Sequence, residues 1–86
     1  MKLIITIIPD SETDSVSLAL TSQKFRVTQI ASTGGFLRKG NSTLLIGVDD
    51  EQVEEALTIL RENSKSTTDT NKGVVFVIKV DKFIHF

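Results

Sequence analysis

The sequence predicts an α+β domain of the ferredoxin-like kind, β-α-β-β-α-β, in which two helices lie on one face of a four-stranded antiparallel sheet. Three observations lead there: four short apolar or alternating segments, two stretches with apolar residues at helical spacing, and the order in which the six occur. The 86 residues make one domain, 1–86, with no internal repeat. A monomer of this size buries only about 60–65% of the surface its unfolded chain exposes, so help from a partner subunit is expected.

The first strand runs from Leu3 to Ile8, rich in isoleucine, apolar on both faces and closed by Pro9. Ser11-Glu12-Thr13-Asp14 then supplies a hydroxyl cap and acids for the positive end of a helix dipole. Val16, Ala19 and Leu20 recur at helical spacing and carry that helix to about Lys24. Phe25-Arg26-Val27-Thr28-Gln29 alternates as a second strand, with Phe25 and Val27 on one face and Arg26 and Thr28 on the other. A breaker-rich stretch from Ser32 to Asn41 precedes a third strand, Ser42 to Val48.

Asp49-Asp50-Glu51-Gln52 is a second acidic helix start, and Val53, Ala56, Leu57 and Leu60 form an i, i+3, i+4, i+7 stripe. Ser64 to Lys72 is polar and low in complexity. Val74 to Val80 is the last strand, followed by the short tail Phe83-Ile84-His85-Phe86. The first and last strands, read as the outer strands of the sheet, are apolar at odd and even positions alike. Two helices cover one face only, so the other would be an apolar patch too large for a lone monomer. Burial between subunits is the expected remedy.

Composition narrows the function. At 40% hydrophobic and 24% charged the chain reads as a soluble globular protein, with no apolar run near the ~20 residues a membrane helix needs. Pro9-Asp10 and a polar run follow the apolar start, which lacks a small-residue cleavage site, so a cytoplasmic location is expected. With no cysteine there is no disulfide, thiolate nucleophile or sulfur-ligated metal. A net charge of −1 argues against a general nucleic-acid binder.

No catalytic or metal-binding residue stands out. His85 is the only histidine and has no cysteine or carboxylate cluster beside it in sequence. Asp49-Asp50-Glu51 and Glu54-Glu55 read as dipole partners on a solvated face. Pro9-Asp10-Ser11-Glu12 lacks the Arg-bearing phosphate loop of an acylphosphatase, and Phe76 alone does not make the aromatic surface of an RNA-recognition module. The chain is therefore expected not to be an enzyme.

The stretch Thr33-Gly34-Gly35-Phe36-Leu37-Arg38-Lys39-Gly40-Asn41 is the most distinctive part of the sequence. It joins backbone able to approach a ligand closely, two adjacent cations, an aromatic ring and a bidentate amide, parts that suit a phosphate-bearing base. A plain hairpin connection whose glycines supply positive φ reads equally well from composition. It is neither a Walker loop nor a Gly-x-Gly-x-x-Gly fingerprint.

That block, together with Met-Lys-Leu-Ile-Ile at the start, Phe25-Arg26-Val27-Thr28, and Val75-Phe76-Val77…Val80-Asp81…Phe83…Phe86, resembles the PII-like cyclic di-AMP receptors over nearly the whole chain. The resemblance implies a homotrimer whose sheets line a central core, with cyclic di-AMP in clefts between neighbouring subunits. It places Arg26 and Thr28 on the cleft floor and Gly35, Phe36 and Leu37 around an adenine. Asn41 falls at the adenine's polar edge, and Gly47 provides backbone close to the ligand. Phe76 becomes a stacking partner from the adjacent subunit, although by pattern alone it reads as core, Asn41 as a turn residue and Gly47 as a bulge.

The implied function is a non-enzymatic nucleotide sensor with no cofactor, acting on an unknown downstream protein. Two features depart from the family pattern. The connection at Ser64 to Lys72 is much shorter than usual, and His85 stands where Gln is common, which alters hydrogen-bond geometry and adds a titratable ring. The alternative is a divergent relative that binds another adenine nucleotide, or none, and serves as an interaction scaffold.

Overall fold

The computed structural model describes residues 1–32, 41–63 and 73–84. Its elements are β1 (Lys2–Pro9), α1 (Asp10–Ser22), β2 (Arg26–Ser32), β3 (Asn41–Val48), a 3-10 turn (Asp50–Gln52) running into α2 (Val53–Asn63), and β4 (Val74–Lys79). They form one antiparallel sheet in the order β2-β3-β1-β4. This is the predicted ferredoxin-like α+β arrangement, with one correction: β1 is a central strand, and the outer strands are β2 and β4.

The helix ends differ from the expectation. Pro9, extended at φ −61 and ψ 144, is the N-cap of α1, and the helix begins at Asp10 without a side-chain cap. No hydroxyl of the Ser11–Thr13 segment caps it; Thr13 instead donates back to the Pro9 carbonyl at 3.5 Å. The reason is that proline fixes an extended entry and the turn starts directly after it. At the other end α1 stops at Ser22, short of Lys24, in a Schellman arrangement: the Phe25 N–H reaches the Leu20 carbonyl at 3.0 Å and the Lys24 N–H that of Thr21 at 2.9 Å. Lys24 takes the left-handed conformation, φ 73, that this closure demands. Both Leu20 and Phe25 are buried, so their burial offsets a backbone state that costs a non-glycine residue ~1–2 kcal/mol.

Strand alternation decides what is buried. Ile4 and Ile8 of β1, Leu44, Ile46 and Val48 of β3, and Phe25 ahead of β2 meet Val16 and Leu20 of α1 and Ala56 and Leu60 of α2 in one core. Val53 and Leu57, the rest of the α2 stripe, are partly buried against it. Each fully buried aliphatic side chain there stabilises the fold by roughly 1.5–3 kcal/mol. Thr6 is polar and buried among them, its hydroxyl satisfied by the Val74 carbonyl of β4 at 3.0 Å. At the start of α2 the Asp49 N–H is capped by the Gln52 side chain at 2.9 Å. The lead-in is a 3-10 turn before a true α-helix, a detail the acidic run did not distinguish.

Candidate functional site

Opposite the helices no described residue covers the sheet, and the register of the strands fixes which residues share that face. Arg26 of β2 pairs with Gly47 of β3, Gly47 with Leu3 of β1, and Leu3 with Ile78 of β4, giving one row across all four strands. The next row is Thr28, Leu45, Ile5 and Phe76. Partners directly opposite in an antiparallel ladder point to the same side, so four predicted site residues lie on this face in two adjacent rows. The predicted split of Phe25 and Val27 from Arg26 and Thr28 therefore holds. Arg26 and Thr28 are exposed, and Phe76 is 51% exposed.

Arg26 is a cation set on an apolar surface. Among the described residues no carboxylate pairs with it. That leaves its five donors available to an anion, for which a planar guanidinium is well matched.

Gly47 is where the two readings of the sequence part. Its pairing with Leu3 and Arg26 is in regular register, and the irregularity in this ladder lies between Gln29 and Ala31 instead. Gly47 thus marks no bulge. A Cβ added there would come to 3.4 Å from Met1 Cε, an ordinary contact, so crowding within the chain does not demand a glycine. By contrast, a Cβ at Gly73 would press to 3.0 Å on both the Ile7 carbonyl oxygen and Ile8 Cγ2, which accounts for that glycine. The Met1 side chain beside Gly47 is a neighbour of the site that sequence reasoning missed; only the β1–β3 register reveals it.

Distance separates the remaining positions. Strands are ~4.8 Å apart, so Thr28 and Phe76 of one chain, three strand spacings apart, are roughly 14 Å from each other. Asn41 is exposed at the opposite end of β3 from Gly47, about 20 Å away at ~3.3 Å per residue. One chain does not gather Arg26, Asn41 and Phe76 around a single base. Gly35, Phe36, Leu37 and His85 lie outside the described residues, as do 64–72 of the short connection.

Below Asn41, on the helix side, sits a polar group that the sequence did not reveal. The buried Ser42 hydroxyl donates to the Asp10 carboxylate at 2.5 Å and accepts from the Gln29 amide at 3.3 Å. At the far end of the sheet Asp50 receives the Met1 ammonium at 3.0 Å and the Lys2 ammonium at 3.3 Å. The hydrogen bond from the N-terminal ammonium, then that from Lys2, with the attraction of both charges, holds the Asp50 carboxyl below its ordinary value. Among the described residues no group of three or more His, Cys, Asp or Glu could hold a metal, and no helix is long and apolar enough to cross a membrane.

Residues 1–74 match the family model described as "Cyclic-di-AMP receptor". The chain is also similar to the crystal structure of a functionally unknown protein from Pediococcus pentosaceus, with 34% identity and a TM-score of 0.81 over 99% of this chain and 96% of that one.

Proposed function

The chain belongs to the cyclic-di-AMP receptor family, and on that premise we propose that it is a non-enzymatic sensor binding cyclic di-AMP in clefts between the subunits of a homotrimer. One observation carries the reading: an arginine with no carboxylate partner among the described residues and a threonine stand beside an uncrowded glycine on a largely apolar sheet face. Arg26 supplies charge to a phosphate and Thr28 a hydroxyl, while bare backbone at Gly47 admits the ligand closely. Phe76 is too far from Thr28 in its own chain to close the same cleft, so in this reading the stacking ring comes from a neighbour. Gly35, Phe36 and Leu37 surround an adenine, with Asn41 and His85 as polar contacts.

The same face supports the proposed trimer. Leu3, Ile5, Ile7 and Leu45 are only half-buried in one chain, and Val74, Phe76 and Ile78 beside them are exposed. Packing these surfaces together removes the apolar patch and creates the clefts. Ligand occupancy then passes to a downstream protein through the connections that rim each cleft.

Titration calorimetry of the full chain against cyclic di-AMP, with ATP and AMP as comparisons, tests the reading. Wild type should bind cyclic di-AMP, and Arg26→Ala should weaken binding at least about tenfold, the scale of one lost charge-assisted hydrogen bond, while leaving the assembly intact. No binding by folded wild type would move the chain to the divergent relative, and binding indifferent to Arg26 would mean the site lies elsewhere.

A further inference from the structure

Gly47 leaves a notch in the open face of the sheet, and the ladder defines its borders. Arg26 of β2 stands on one side of it and Leu3 of β1 on the other. Two residues back along β3, on the same face, is the half-buried Leu45. A further neighbour comes from ahead of β1: the ε-methyl of Met1 lies 3.4 Å from the point that a Cβ on Gly47 would occupy. That Cβ would point to the same side as its partners Leu3 and Arg26, so the methyl lies on the open face too. The notch thus has a guanidinium toward β2 and a thioether methyl toward β1, with the exposed glycine between them.

The backbone of Met1 is engaged within the chain. Its carbonyl accepts from the Val80 N–H at 3.0 Å, one step beyond the Lys2–Lys79 end of the β1–β4 pairing, and its ammonium meets Asp50 at 3.0 Å. The side chain is the part left to meet another molecule, and Met1 is 45% exposed. An unbranched, polarisable thioether suits the edge or face of an aromatic ring. Two strand spacings, ~10 Å, separate β2 from β1, a span that a nucleotide bridges from phosphate to base. A ligand whose phosphate meets Arg26 can therefore lay its purine over Gly47 and against the Met1 methyl. Since a Cβ at Gly47 would fit beside that methyl, the space the glycine keeps open serves no packing need of the chain itself.

We infer that Met1 is a further ligand-contact residue of this site, packing its thioether on a purine that lies over Gly47. The inference rests on the receptor reading above and adds to it a base contact from the start of β1. Cysteine is absent and Met1 is the only methionine, so it holds the one sulfur of the chain. That makes the contact both observable and adjustable: a methionine-methyl label gives a single signal, and a sulfur oxidant alters a single side chain. Hydrogen peroxide transfers one oxygen atom to the thioether and is itself reduced to water, leaving a polar sulfoxide where the apolar contact was. The exposure of Met1 admits the reagent without unfolding.

The experiment has two arms, both on the full chain with cyclic di-AMP. In the first, protein carrying isotope-labelled methionine methyl is saturated with ligand and examined by NMR. The single ε-methyl signal should show a ring-current shift and nuclear Overhauser contacts to the base protons of the ligand. In the second, calorimetry compares untreated protein with protein whose conversion to the sulfoxide is confirmed by mass. Oxidation should raise Kd about two- to tenfold, the scale of one thioether–aromatic contact, with circular dichroism and sedimentation unchanged. Should oxidation disturb the assembly, the NMR arm decides alone, because it uses unmodified protein. A methyl with no contact to base protons at saturation, or one that responds to protein concentration and not to ligand, would make Met1 a packing or subunit contact and overturn the inference while the receptor reading stands. Unchanged affinity in folded, assembled, oxidised protein would overturn it too. Failure of untreated protein to bind would remove both.

Discussion

β1 and β4 are neighbours in the sheet and nearly alike in composition, Lys-Leu-Ile-Ile-Thr-Ile-Ile against Val-Val-Phe-Val-Ile-Lys, yet the fold treats them differently. Along β1 every second residue is buried and the rest are half-buried; along β4 every residue is exposed. The clearest case is a single ladder pair: Ile4 is 0% exposed, while its partner Val77 is 41% exposed. Hydrophobicity does not distinguish them. Place in the strand order does, because β1 has strands on both sides and helices beneath, whereas β4 has β1 on one side and no described strand on the other. Among the described residues nothing covers this apolar edge, and that is the surface the proposed assembly would bury.

The largest expected effect comes from breaking the pair on its buried side. Ile4→Ala should cost ~2–5 kcal/mol by lost transfer energy and a cavity, with Val77→Ala at the other end of the same pair staying below about 1 kcal/mol in a dissociated chain. Urea melts at low protein concentration measure both. Equal losses would mean that β4 is as well packed within one chain as β1.

An intermediate effect sharpens the comparison from the open face. Phe76→Lys places a charge where the proposed trimer buries an aromatic ring, so it should lower the sedimentation coefficient toward that of a monomer. It should also remove any dependence of melting temperature on protein concentration. A variant that sediments with wild type would show that β4 is covered in some other way.

Much of this contrast is legible in sequence. The alternation Phe25-Arg26-Val27-Thr28 sorts two residues to the core and two to the open face, and both assignments hold. The stripe on α2 holds as well, though Val53 and Leu57 are only partly buried. What could not be read depends on partners distant along the chain. That β1 is central follows from β3 inserting between it and β2, a non-local fact. The left-handed Lys24 carries no glycine to announce it; burial of Leu20 and Phe25 imposes it. Ser42 finds Asp10 32 residues away and Gln29 13 away, and no spacing rule reaches across such separations. For the candidate site, register brings Arg26, Thr28, Gly47 and Phe76 to one face, with Phe76 three strands away from Thr28.

The smallest effect tests the corner where β1 meets the lead-in to α2. Asp50 is fully exposed, and its links to the Met1 and Lys2 ammonium groups are surface ion pairs of the kind that add little to stability. Their direction is nonetheless defined. The hydrogen bonds from the N-terminal ammonium and Lys2 depress the Asp50 carboxyl below its unfolded value of 3.8, so the folded state favours the ionised form. Such a group contributes its stability fully above the unfolded value and loses it as pH falls through the lower folded value. Asp50→Asn should therefore melt slightly below wild type at neutral pH, and the gap should close under acid conditions below 3.8. Added salt at neutral pH should narrow it too, by screening. Thermal melts of both proteins across an acid series check the sign: a gap that widens on acidification would mean that Asp50 is not held ionised by these partners, and that β1 is tied to the α2 lead-in by packing alone.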